Sequence, residues 1–301
     1  MLEKIKEIPF IDESSAVRVL ATDSGKIVLE RNDRVIWARE QTALESPNID
    51  CYVEADKFFT LLPEIKSLVQ STCLEVTLKN GARYELPFLE VSWETQEMPE
   101  NYSDSITFKL SDLVLCTLNN LIRPELQCIY IDQDGAVSCD FVSACISNDV
   151  KASKAFLLPP DVQALVDGRL CKVEVTEDKI FIKSSDFEII TSKPAMEEGD
   201  EWYNDLRAII SGATSFKTAE ALTESLKRLA MFADYIKFDG EKVIAGENYE
   251  PFAFEDLAGA QYEIEKVAKV ASIAGQITAK DGNLIFKNDK STFVVSPMEE
   301  A

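Results

Sequence analysis

One strand-into-helix segment occurs three times along the chain at nearly constant spacing, and that period limits the fold more than any other feature. The three stretches read CYVEADKFFTLLPEI (51–65), FLLPPDVQALVDG (156–168) and QYEIEKVAKVASIAG (261–275). Their acidic helix-start residues, Asp56, Asp161 and Glu265, lie 105 and 104 positions apart. Pro159 and Pro160 suit a first helical turn, where the amide donor goes unused, and Gly168 suits a helix exit. A period near this length is one domain, so a chain of 301 residues holds three.

Hairpin signals recur with the same period. AVRVLATDSGKIVLE (16–30), CIYIDQDGAVSCDF (128–141) and YIKFDGEKVIAGE (235–247) alternate polar and apolar residues around Gly25, Gly135 and Gly240. A second hairpin follows each acid-started helix, turning at Asn80-Gly81, Glu177-Asp178 and Asp281-Gly282. A further helix is expected over SDLVLCTLNNLI (111–122), with a serine cap and a stripe of Leu113, Leu115, Leu118, Leu121 and Ile122. TAEALTESLKRLAMFA (218–233) gives another, with Leu222, Leu226, Leu229, Met231 and Phe232. In the first unit only MLEKIKEI can take that part. Each unit is thus two helices on one face of an antiparallel sheet, an α+β arrangement. The joints are EMPENYSD (97–104) and SKPAMEEGDE (192–201), which divide the chain into 1–103 (truncated at its start), 104–210 and 211–301.

Composition removes several function classes. With 46% hydrophobic and 28% charged residues the chain reads as globular. No apolar run approaches the roughly 20 residues that span a bilayer, and the acidic N-terminus lacks a signal-peptide core, which points to the cytosol. Histidine is absent, which excludes Ser-His-Asp and Cys-His nucleophile systems. The cysteines, Cys51, Cys73, Cys116, Cys128, Cys139, Cys145 and Cys171, form no paired zinc spacing and read as buried free thiols. A net charge of −22 disfavours nucleic acid on average, yet leaves room for a few cations gathered where DNA passes.

Three stretches go beyond layout. ADKFFTLLPEI (55–65) is similar to a first-domain helix segment of the β-type DNA polymerase sliding clamps of bacteria. AVSCDFVSACIS (136–147) stands where that family's second domain reads A-T-D-G-H-R-L, and TFVVSPMEEA (292–301) resembles its C-terminal strand and Met-Pro-Met-type tail. Asp140 matches the motif aspartate, and Pro297 and Met298 match the tail. Phe141, Val142 and Ser143 replace the motif's glycine, histidine and arginine, and Glu299 and Glu300 replace a basic residue.

The resemblance implies three tandem clamp-type domains forming half of a ring, closed by a homodimer around duplex DNA with helices lining the hole. It implies a processivity factor, not an enzyme, without cofactor or metal. Its partners would be double-stranded DNA held topologically, a DNA polymerase and other clamp-binding-motif proteins, and a clamp loader, with no membrane. Location would be the bacterial cytoplasm, and the divergence suits a bacteriophage member in an infected host. DNA-facing cations would be Lys57, Lys66, Arg123, Lys217, Lys227, Arg228, Lys266 and Lys269 on helix faces, helped by helix N-termini. A partner-peptide pocket carried over by position would comprise Cys139, Phe141, Val142, Ala144, Ile209, Val294, Ser296, Pro297 and Met298. Met and aromatic side chains adapt to a guest, and Phe141 in place of glycine reshapes the pocket.

Two other readings differ in class. An acidic DNA mimic that inhibits a nucleic-acid enzyme fits the charge, but explains neither the threefold period nor cations gathered on helices. A carboxylate-dependent hydrolase could use the acids of 196–201, although acidic joints are ordinarily solvated.

Overall fold

The computed structural model describes residues 16–32, 36–94, 96–118, 123–196, 201–252, 254, 257 and 259–298. The helix expected over MLEKIKEI lies outside these residues, as do Leu121, Ile122, Glu299 and Glu300.

The first stretch runs β1 (Ala16–Ala21), β2 (Lys26–Asn32), β3 (Ile36–Glu45), β4 (Asp50–Glu54), α1 (Ala55–Leu61), β5 (Ile65–Gln70), β6 (Leu74–Leu78) and β7 (Arg83–Leu86). The second runs β8 (Asp104–Thr107), α2 (Ser111–Val114), β9 (Ile129–Ile131), β10 (Ala136–Cys139), β11 (Ser143–Ser147), β12 (Phe156–Leu158), α3 (Pro160–Val166), β13 (Leu170–Val175), β14 (Lys179–Lys183) and β15 (Phe187–Ser192). After α4 (Trp202–Ile210), the third runs β16 (Lys217–Thr218), α5 (Glu220–Leu229), β17 (Tyr235–Phe238), β18 (Lys242–Ala245), β19 (Asn248–Pro251) and β20 (Gln261–Glu263). It ends with α6 (Ile264–Ile273), β21 (Gln276–Lys280), β22 (Asn283–Lys287) and β23 (Ser291–Val295). The second and third stretches share one order: strand, helix, four strands, helix, three strands. The first follows it from the third element onward.

Local chemistry explains the recurrence. Asp56, Asp161 and Glu265 each stand second in their helix, where a carboxylate meets the positive end of the helix dipole. Gly135 turns the β9–β10 hairpin at φ 144°, and a Cβ there would lie 2.5 Å from the Ser147 carbonyl oxygen. Only glycine fits. Asp281 and Gly282 both take positive φ, 51° and 77°, as a tight two-residue hairpin demands.

Two compact units result: Met1–Phe108 with Asp161–Lys193, and Lys109–Pro160 with Pro194–Ala301. The first unit holds an eight-stranded sheet ordered β4-β1-β2-β3-β15-β14-β13-β8 and a three-stranded sheet β5-β6-β7. The second holds β12-β9-β10-β11-β23-β22-β21-β16 and a four-stranded sheet β19-β18-β17-β20. The joining pairs, β3 with β15 and β11 with β23, are antiparallel, so sheets run continuously from one repeat into the next.

Several expected elements differ. The helix over 111–122 stops at Val114, because the Leu118 amide turns away to the Leu126 carbonyl at 2.9 Å. Leu110, not Ser111, occupies its cap position, and no side chain caps it. The helix over 218–233 is confined to α5; Leu222, Leu226 and Leu229 are buried, but Met231 and Phe232 lie beyond its end, 73% and 59% exposed. Residues 202–210, just beyond the expected joint and without an expected helix, form α4. All seven cysteines are free, and five are buried. Among the described residues no helix is long and apolar enough to cross a membrane.

Candidate functional site

The nine pocket residues gather at one end of the second unit's large sheet, the end that carries the β10–β11 and β21–β22 turns. Cys139, Ala144 and Val294 are consecutive cross-strand neighbours on β10, β11 and β23. Ala144 and Val294 are closed to solvent, whereas Cys139 is half-buried. Burial raises the Cys139 thiol above its ordinary pKa, so it presents a protonated, weakly polar surface.

The β10–β11 turn is pinned from below. Asp140 is buried, and its Oδ1 accepts from the Val142 amide (3.2 Å), the Ser143 amide (2.7 Å) and the Ser143 hydroxyl (2.9 Å). Its Oδ2 accepts from Lys266 Nζ of α6. Burial opposes the Lys266 charge, but the hydrogen bond and charge of Asp140 outweigh it and hold the ammonium above its ordinary pKa. Phe141, at the tip, has φ 76° and is 55% exposed. An aromatic residue in the left-handed region costs about 1–2 kcal/mol, and nothing in the core recovers it.

The tail and α4 complete the surround. The Ser296 amide donates to the Val142 carbonyl at 2.9 Å and the Met298 amide to the Gln261 carbonyl at 2.8 Å, leaving Met298 39% exposed. Ile209 is half-buried near the end of α4, where Lys280 donates to its carbonyl at 3.2 Å. The helix is fixed at its middle by Arg207, whose Nη1 and Nη2 each reach an Asp132 carboxylate oxygen at 2.8 Å. Tyr203 stacks on Tyr130 with ring centroids 3.7 Å apart.

The eight cations scatter more than expected. Lys57, Lys227, Arg228, Lys266 and Lys269 are on helices, but Lys66 lies on β5, Lys217 on β16, and Arg123 just before a short 3-10 turn at Pro124–Gln127. The helical reading of Lys66 and Lys217 is therefore corrected: β5 and β16 pair with β6 and β21. Most are internally paired: Lys57 with Glu54 (2.6 Å), Lys227 with Glu224 (2.7 Å), Arg228 with Glu250 (2.7 Å), and Arg123 with Glu125. Each helix also carries an acid near its start, which offsets the positive dipole end counted on above.

No family model matches the sequence, and no curated protein does. Solved structures do match it. DNA polymerase III subunit beta of Pseudomonas aeruginosa superposes with a TM-score of 0.75 at 15% identity, over 99% of this chain and 97% of that one. The sliding clamp of Caulobacter crescentus gives 0.77 at 10% identity, over 98% and 95%. The Helicobacter pylori beta clamp, solved with a DNA ligase peptide bound, gives 0.74 at 12% identity, over 98% and 96%. The chain has the bacterial β sliding-clamp fold.

Within that clamp fold, sequence reasoning missed the groups that hold the candidate pocket in place. Arg207, Asp132 and Lys280 gave no local signal, and Lys266 was assigned to DNA when its partner is Asp140. Phe141→Gly is expected to raise stability by about 0.5–1 kcal/mol, the relieved strain exceeding the unfolded-chain entropy that glycine adds. A urea midpoint that rises at unchanged slope will show it; an unchanged or lower midpoint means that Phe141 makes compensating contacts.

Proposed function

We propose that this protein is a DNA sliding clamp: a non-enzymatic, ring-shaped processivity factor that encircles duplex DNA and tethers a DNA polymerase. The observation that carries the reading is the near full-length agreement with sliding clamps, in both directions, at TM-scores of 0.72 to 0.77. Three domains divided near 103 and 210, a homodimer, a clamp loader and a cytoplasmic location belong to the same proposal.

Sheet order supports ring closure by two chains. In each eight-stranded sheet a four-stranded half ending in β3 or β11 joins a half ending in β15 or β23. The leftover sheets are the corresponding halves, β20-β17-β18-β19 and β7-β6-β5, with β19 and β7 each neighboured on one side only among the described residues. Pairing β19 of one copy with β7 of another repeats the rule twice and leaves neither edge open. DNA would pass along helices whose cations are mostly paired with acids, giving the weak, mobile phosphate contacts that sliding needs.

The test is topological. Loaded on a closed DNA circle, a two-chain species should persist and then be lost on linearisation. Retention that ignores linearisation, or a stable single-chain mass at micromolar concentration, rules the reading out.

The polymerase peptide would enter the pocket between Phe141, Ile209 and the tail. Deleting 297–301 removes Pro297, Met298 and the hydrogen bond from Met298 to Gln261, with the strands untouched. Affinity for the polymerase's terminal peptide should fall about tenfold or more, from the loss of a methionine wall worth about 1.5–3 kcal/mol when fully buried. Titration of the peptide against both forms, each confirmed by mass, reads this out. Equal affinities place the guest elsewhere.

A further inference from the structure

The first unit carries a charge pattern that neither the peptide pocket nor the DNA-facing cations use. Arg18 on β1, Glu30 on β2, Arg39 on β3, Glu188 on β15 and Lys183 on β14 are successive cross-strand neighbours on one face. Asp50 of β4 extends the row, bonded to Arg18 at 2.8 Å. The signs alternate, and each neighbouring pair is in contact: Arg18–Glu30 at 3.1 Å, Glu30–Arg39 at 3.4 Å, Arg39–Glu188 at 3.9 Å and Glu188–Lys183 at 2.5 Å.

The next strand breaks the alternation. Lys172 of β13 stands directly opposite Lys183, and like charges in that position repel. The Lys172 ammonium has no hydrogen bond or ion pair among the described residues. A cavity of about 710 Å³ opens at this point, lined among others by Ser105, Arg169, Leu170, Lys172, Lys183 and Asp186. Asp186 is already held by Arg169, with both carboxylate oxygens at 2.9 Å. Behind the row, outside the cavity lining, the Tyr102 hydroxyl is buried without a hydrogen-bond partner within electrostatic reach of Lys183 and Glu188. The row lacks one negative charge. In a chain with 53 acids against 31 basic residues, a wall of three cations and one engaged acid is unusual.

We infer that this cavity binds an anionic oxygen group, carboxylate or phosphate, seated between Lys172 and Lys183. Such a group supplies the missing member of the row, accepts from both ammonium groups, and gives the Ser105 hydroxyl an acceptor. Leu170, 62% exposed at the same cavity, provides an apolar surface for an aliphatic segment attached to that group. The site does not depend on the clamp reading.

Thermal melting of the full chain with glutarate or inorganic phosphate, at constant ionic strength, tests it. A saturable rise in Tm is expected with at least one anion, the stronger of the two assigning carboxylate or phosphate as the group bound. Lys172→Ser should weaken that response about tenfold or more. Lys172→Glu should supply the missing charge from within the chain: Tm rises by about 1–3 °C without any anion, and the anion response disappears. No saturable response in the parent chain, an equal response in Lys172→Ser, or a lowered Tm in Lys172→Glu overturns the proposal.

Discussion

Replacing Asp140 by alanine is expected to destabilise the second unit by about 3 kcal/mol or more. The side chain is 5% exposed and satisfies two backbone amides, a hydroxyl and an ammonium at once. Its loss strands the half-buried Lys266 charge, and an uncompensated buried charge costs more than the pair ever contributed. Asp140→Asn keeps an acceptor for the turn amides and should cost less. Pairing it with Lys266→Met should recover part of the remainder, because the stranded charge is then gone. Urea unfolding of these three variants and the parent reads these differences. A cost for Asp140→Ala within the ±0.5 kcal/mol of ordinary surface changes would mean that the turn is not held this way.

The second large effect concerns Arg207→Ala, expected to cost about 2 kcal/mol by removing both guanidinium bonds to Asp132. The effect should depend on pH. Burial alone would raise the Asp132 pKa, but the bonds from Arg207 and from the Asp134 and Gly135 amides prevail and hold it below its ordinary value. A carboxylate lowered in the folded state contributes stability that is complete above its unfolded pKa of about 3.9 and is lost as pH falls through the folded value. The gap between parent and Arg207→Ala should therefore be constant from neutral pH down to about 4 and shrink below it. A gap that stays unchanged into strong acid would show that Arg207 acts by packing over Tyr130 and Tyr203.

What the chain revealed before folding was its punctuation. Acid-started helices and glycine hairpins are set by residues within a few positions of one another, so their period is legible and the element order follows. Helix lengths were less legible, because Leu118 and Leu126 end α2 by a contact that no helical pattern encodes. α4 was hidden for a related reason: no residue in it is fully buried, and its aromatic pair finds Tyr130 only after the sheet has formed. The candidate pocket residues were named from resemblance, but the groups that hold those residues in place could not be. Lys266 and Asp140 are 126 positions apart, and Arg207 and Asp132 are 75 apart. Charge partners at such distances leave no trace in spacing, and a lysine on a helix reads the same whether it awaits a phosphate or holds a carboxylate.

Strands β7 and β19, each with one neighbour among the described residues, set a problem of self-control for any chain that assembles through them. Two complementary edges on one molecule form a head-to-tail contact, which yields a closed ring if the rotation fits and an endless filament if it does not. β7 is only four residues long, as is β19, and short edges limit how firmly a misaligned neighbour can be held. The net charge of −22 adds a general repulsion between copies that only a well-matched contact overcomes. In a chain that closes into a ring as proposed, the surplus acid, which at first argues against DNA, would guard against fibres. Raising the salt, which screens that repulsion, should favour linear oligomers over discrete ones.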